Sequence, residues 1–257
     1  MLDSYPLWIV FLLTIAFAFL SIVLGIRIGL WKRAQAKDSH DAPIDAIVGA
    51  LLGLLAFILT FTFGMASNRF DARRQLLLDE VNAIGTTVLR AHMLPEPEQS
   101  ASIDLFRTYV DLRVEGINHP ERLTHALAQS DSLQIQLWTR AISMASRMNT
   151  PVSALYISSL NEVIDLETSR KTVVLLYRIP AAIWAGLGII TFLTMATVGF
   201  HFGLSGKPHW TLCFVLAMSF ATVILLITEL DRPKQDILKV NQGAMIELQQ
   251  RLHRLTP

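Results

Sequence analysis

Residues 46–95 read AIVGALLGLLAFILTFTFGMASNRFDARRQLLLDEVNAIGTTVLRAHMLP, and the reading of this stretch decides the fold. As far as Ala66 it carries no charge and is long enough, at 1.5 Å of rise per residue, to cross a hydrocarbon core about 30 Å thick. Past Ala66 the apolar positions Phe70, Leu77, Val81, Ile84 and Val88 recur at helical spacing, with no breaker before Pro95. The spacing therefore predicts one helix from Ala46 to Leu94 that spans the membrane and continues beyond it.

Three further apolar stretches lie outward of this one: Leu7 to Leu30, Ile179 to Phe200 and Trp210 to Thr228. Each is of spanning length, and an apolar helix satisfies its own backbone where no water is present. The first is expected to be retained as a helix rather than cleaved as a leader, because Asp3 is the only charge before it and its apolar run is long. Trp8, Trp31, Trp184 and Trp210 sit near span ends, the depth indole rings prefer. Composition agrees: 52% of residues are hydrophobic and 17% charged, where a soluble domain carries about a quarter charged.

The expected fold class is an all-α membrane protein, with four transmembrane helices in two pairs and a central extramembrane helical bundle. Residues 1–66 would hold spans one and two, 67–178 a cytoplasmic helical domain continuous with spans two and three, 179–228 spans three and four, and 229–257 a C-terminal helical tail. In the central domain the pattern predicts helices over 100–114 and 121–148, and a third over 152–178 that leads into span three. Pro95, Pro97 and the 116–120 stretch mark turns.

Orientation follows from basic residues at the span ends. The domain side carries Arg69, Arg73, Arg74, Arg170, Lys171, Arg178, Arg232 and Lys234; the opposite side carries Lys32, Arg33, Lys37 and Lys207, with Arg27 snorkelling from span one. This excess places the domain and both termini in the cytoplasm, although the flanks of the first span alone favour the reverse.

Little here speaks for an enzyme. His40, His92, His119, His125, His201, His209 and His253 show no metal-ligand spacing, and no phosphate loop or nucleophile elbow is present. Neither a metal nor any other cofactor is expected. Lone Cys213 lies inside span four, so no intrachain disulfide can form. Between Ser67 and Arg178 there are twelve Lys or Arg against thirteen Asp or Glu, a balance that excludes a nucleic-acid surface. No Asp, Glu, Lys or His occupies a span centre, which argues against proton relays and ion-coupled transport.

Candidate functional residues concentrate on span two. Phe57, Phe61 and Met65, at i, i+4 and i+8, drift by about 80° and share a face. In a ring of subunits that face would form an apolar constriction; it would serve equally as a lipid- or helix-packing stripe. Asn68, Arg69, Arg73 and Arg74 would line the mouth of such a pore, or anchor the helix among headgroups. Gly49 and Gly53 form a Gly-x-x-x-Gly pair that admits a close helix. Asp79 and Glu80 read as a solvated helix face, with pairing to an arginine of a neighbouring helix as the alternative for Glu80. The span hydroxyls Thr191, Thr194, Thr197, Ser219 and Thr222 are expected to bond to helix carbonyls or join helices.

The long helix also resembles the bacterial bestrophin-like membrane proteins of unassigned function. The resemblance rests on Arg73 and Arg74, the signature Glu80, Asn82, Ala83, Ile84 and Gly85, then Arg90, Leu94 and Pro95, and on the acidic-proline motif Glu229-Leu230-Asp231-Arg232-Pro233 after span four. It implies a bacterial inner-membrane protein. Bestrophins proper are oligomeric, mainly anion-selective channels whose second span lines the pore and whose helical bulk is cytoplasmic. Here Lys234-Gln235-Asp236 replaces the Phe-Gly and further acids of bestrophins, so no calcium clasp is expected. The expected partners are the lipid bilayer, further copies of the chain in a homo-oligomer, and small anions. Two function classes remain open: a homo-oligomeric anion channel lined by span two, and a non-conducting membrane-anchored scaffold or sensor that binds a protein partner.

Overall fold

The computed structural model describes residues 5–35, 44–119, 122–148, 150–175, 177–232 and 240–254. Among them every regular element is helical: α1 (Leu7–Gln35), α2 (Ile44–Ala91), α3 (Glu98–Asn118), α4 (Leu123–Arg147), α5 (Pro151–Leu175), α6 (Ala181–Ser205), α7 (Trp210–Asp231) and α8 (Gly243–Arg254). Four of these, α1, α2, α6 and α7, are long and apolar enough to span a membrane. The expected single long helix is present as α2, whose 48 residues extend about 70 Å. The helices group into two compact units, Met1–Phe70 with Arg178–Lys239, and Asp71–Tyr177 with Val240–Pro257.

In the first unit α1 and α6 run parallel with their backbones in contact. A Cβ built on Gly199 would stand 2.0 Å from the Ile22 carbonyl oxygen, and one on Gly25 1.9 Å from that of Ala196. Gly203 meets the Ile26 carbonyl and Gly29 that of Phe200 in the same way. Two Gly-x-x-x-Gly pairs, 25/29 and 199/203, therefore interlock; in lipid, where no hydrophobic effect drives helices together, such close packing supplies the attraction. α7 adds Cys213, Ala217, Phe220 and Ile227 to the core. Span hydroxyls turn back on their own helices, Thr191 to Leu187, Thr197 to Leu193, Ser219 to Val215 and Thr222 to Met218, while Thr194 reaches across to the Leu51 carbonyl of α2.

The second unit packs the outer part of α2 with α3, α4, α5 and α8. Leu77, Ile84 and Val88 meet Phe106 and Val110 of α3, Leu137 and Met144 of α4, Leu160 of α5, and Met245, Leu248 and Leu252 of α8. The residues read as a C-terminal tail thus include a helix built into this core. α5 opens on a reciprocal cap, with the Ser153 N–H donating to Thr150 Oγ1 and the Thr150 N–H to Ser153 Oγ, and with Pro151 at the first helical position. It ends at Leu175 instead of running into span three. Pro180 stands before α6 with φ −54° and ψ 140°, and a proline disfavours helical geometry at the residue ahead of it, so the chain breaks here.

Candidate functional site

α2 is the least covered of the four spans. Only 11% of its apolar window is buried, against 28% to 39% in the other three. Phe57 and Phe61 are 68% and 65% exposed, Met65 is half-buried, and among the described residues no atom of another helix lies within 4 Å of a Cβ added at Gly49 or Gly53. Further along, Asn68, Gln75, Asn82 and Leu89 repeat every seven residues from Phe61, a period that holds one helix face, and all are exposed. Inward-facing Leu55, Thr62 and Ala66 are buried. In the first unit the exposed face of α2 is thus aromatic within its apolar segment, and in the second unit its exposed positions are mainly polar.

The four residues read as a pore mouth separate. Asn68 and Arg74 are exposed. Arg69 turns to Asp231, its Nη1 3.4 Å from Oδ1, and Arg73 is buried. Helical phase sets Asn68 apart, since on a 3.6-residue helix it lies within about 20° of Phe57 while all three arginines lie about 100° or more from it; which of the arginines is covered depends on what packs beside each. The stripe's own flank carries Asp71, which is exposed, and Asp79, which accepts a 2.8 Å hydrogen bond from Gln75.

Glu80 is fully buried, not on a solvated face, and is the centre of a charged cluster. Arg113 Nη2 of α3 lies 2.9 Å from Glu80 Oε1, Arg170 of α5 binds Oε2, and the Tyr109 hydroxyl donates to Oε1 at 3.2 Å. Gln134 of α4 donates to the Tyr109 hydroxyl at 3.3 Å. Arg113 Nη1 also reaches Glu167 at 3.4 Å; Lys171 pairs with Glu167 at 2.8 Å and with Asp131, and Arg170 Nη2 donates to Gln242 ahead of α8 at 3.4 Å. Burial disfavours a charged Arg113, but Glu80, Tyr109 and Glu167 outweigh it and hold its pKa above the ordinary arginine value. Burial likewise pushes the Tyr109 phenol and the Glu167 carboxyl up. A buried carboxylate with two guanidiniums and a phenol is a satisfied structural knot, since each ion left alone there would cost several kcal/mol. Sequence patterning identified Glu80 but not Tyr109, Arg113 and Arg170, which meet it from two other helices, nor Glu167, which joins the cluster through Arg113.

Several of the remaining motif residues also make structural contacts. Arg90 donates to the Leu155 carbonyl at 2.9 Å, tying α2 to α5, and Gly85 faces Leu248 of α8, 4.0 Å from an added Cβ. Asn82 is exposed. Asp231 accepts the Ile179 N–H at 3.1 Å beside its Arg69 partner, and Arg178 donates to its carbonyl. Glu229 and Arg232 are buried; Pro233 lies outside the described residues. Among the described residues no three of His, Cys, Asp and Glu gather as metal ligands.

Solved structures with this arrangement include crystal structures of a bacterial bestrophin homologue from Klebsiella pneumoniae, each carrying a point mutation. One is 17% identical with a TM-score of 0.70, covering 95% of this chain and 97% of that one. Another is 16% identical with a TM-score of 0.68, covering 97% and 98%. Identity at this level establishes the shared fold. No curated protein matches in sequence. The model of the Bestrophin-like domain matches residues 12–245, nearly the whole chain, including the long helix, the buried Glu80 cluster and the Asp231 motif. The protein belongs to the bestrophin-like family.

Proposed function

We propose that the protein is a homo-oligomeric membrane channel whose pore is lined by α2, with Phe57, Phe61 and Met65 as its apolar constriction. The observation that supports this reading is the uncovered face of α2: with 11% of its apolar window buried it is open to a neighbouring copy as well as to lipid, and its exposed positions change from aromatic to mainly polar along its length. In a ring of copies the phenyl rings converge, and an apolar constriction of that kind conducts only when it wets. Gly49 and Gly53, bare in the single chain, are then positions where a neighbouring copy approaches. The extramembrane unit and both termini are assigned to the cytoplasm of a bacterial inner membrane, on the excess of Arg and Lys flanking that side.

The permeant species are small ions. The family resemblance favours anions; with Arg69 and Arg73 turned inward, Arg74 is the exposed arginine of the mouth residues, about 100° around α2 from Phe57, while exposed Asp71 lies about 40° from it. Liposome flux on wild type and Phe61→Ala tests the pore: truncation widens the constriction and raises the basal leak. Reversal potentials for Arg74→Glu test the sign of selectivity, with anion preference falling. If both variants assemble and neither changes flux or selectivity, α2 is not the pore, and the non-conducting scaffold that binds a protein partner takes its place.

A further inference from the structure

The first unit holds a crevice of about 210 Å³ between α1, α6 and α7, at the opposite end of the α1–α6 pair from the glycine contacts. Its floor is Val10, Leu187, Phe220 and Ile224, all buried. Two hydroxyls border it, and both are already used: Thr14 donates to the Val10 carbonyl at 2.8 Å and Thr191 to the Leu187 carbonyl at 2.6 Å. A water there would lack the two to four polar partners that hold buried water in place, so the crevice suits an apolar occupant.

Its rim is continuous with the bilayer-facing surface. Leu13 and Phe17 line the crevice and are 60% and 43% exposed, and Ile189, beside the lining Gly188, is 61% exposed. From Val10 to Phe17 the helix rises about 10 Å, room for part of an extended hydrocarbon chain and too little for a drug-sized ligand. Gly188 leaves the space open, since a Cβ added there meets nothing within 4 Å. Trp184, near the start of α6, forms the end of the crevice at the depth where indoles mark the headgroup boundary.

We propose that this crevice is a lipid site, occupied by one acyl chain of a phospholipid from the surrounding bilayer that enters past Trp184. The site depends only on α1, α6 and α7 and stands whether or not α2 conducts.

The test uses the full-length chain with Trp184 as its single tryptophan, the other four replaced by phenylalanine, in phosphatidylcholine bilayers containing increasing fractions of lipid brominated in mid-chain. A matching variant keeps only Trp210, which is 50% exposed and does not line the crevice. Trp184 should be quenched at lower fractions of brominated lipid than Trp210, and Gly188→Leu, which fills the crevice, should remove that excess. Should Gly188→Leu fail to fold, Leu13→Ala at the exposed rim loosens the site and should reduce the excess instead. Equal quenching of the two tryptophans, unaffected by the filling variant, would mean ordinary bilayer contact and overturn the site. An unquenched Trp184 would mean that another copy of the chain covers the crevice, and would overturn it as well.

Discussion

Glu80 shows how much a single carboxylate in this chain depends on residues distant from it. It has no exposure, and its charge is offset by Arg113, thirty-three residues on, and Arg170, ninety residues on. Removing one member of such a set leaves the others buried and unbalanced, at a cost of about 3–5 kcal/mol. Glu80→Gln should lower stability by that order in thermal or denaturant melts, while Asp79→Asn next to it, whose bond is to Gln75 on the same helix, should stay within about 0.5 kcal/mol. Equal effects would place Glu80 at the surface. Lys171 makes a pH-dependent contribution. Partial burial lowers its pKa, but Asp131 and Glu167 outweigh that and hold it above the ordinary value of 10.5. A raised folded pKa stabilises fully below the unfolded value and is lost as pH rises through the folded one. With Asp131 and Glu167 ionised, the stability gap between wild type and Lys171→Met should therefore be constant from about neutral pH to about pH 10 and close above it; a gap that widens with alkali would contradict the pairing.

At the scale of elements, glycine position separates folding from assembly. Gly199 and Gly25 stand where a Cβ would overlap a backbone carbonyl of the facing helix, whereas Gly49 and Gly53 face open space in the single chain. Neither α1 nor α6 can yield locally, because backbone cannot rotate away as a side chain can. Gly199→Ala should cost at least about 1–3 kcal/mol, read as a lower melting temperature in detergent. Replacing Gly49 and Gly53 with leucine should leave the protomer folded and instead disturb the oligomer on size exclusion. An unchanged elution profile would place that face of α2 against lipid. The sequence drew attention to the second pair because it lies on the long helix; the first pair looks the same in one dimension and differs only in what faces it.

At the scale of the whole molecule, the asymmetry of basic residues predicts both termini in the cytoplasm. A reporter active only in the cytoplasm, fused after Pro257, should give signal, and a periplasm-specific reporter active at that position would reverse the topology. What the sequence determined by itself was the set of helices, because that rests on short-range physics: apolar length sets the spans, a helical period without proline sets the reach of α2, and paired prolines set the turn after it. It missed the break between α5 and α6, where Pro180 outweighs an otherwise helical pattern. The candidate stripe of Phe57, Phe61 and Met65 was legible because a fixed 3.6-residue period orders a helix face. Which way the arginines turn was not. Arg69, Arg73 and Arg74 are alike in composition, yet one meets Asp231, one is buried and one is exposed. Only tertiary structure decided that, as it decided the partners of Glu80 and the place of α8 in the core, because the energy of a buried charge or an apolar face depends on what distant parts of the chain bring to within a few ångströms of it.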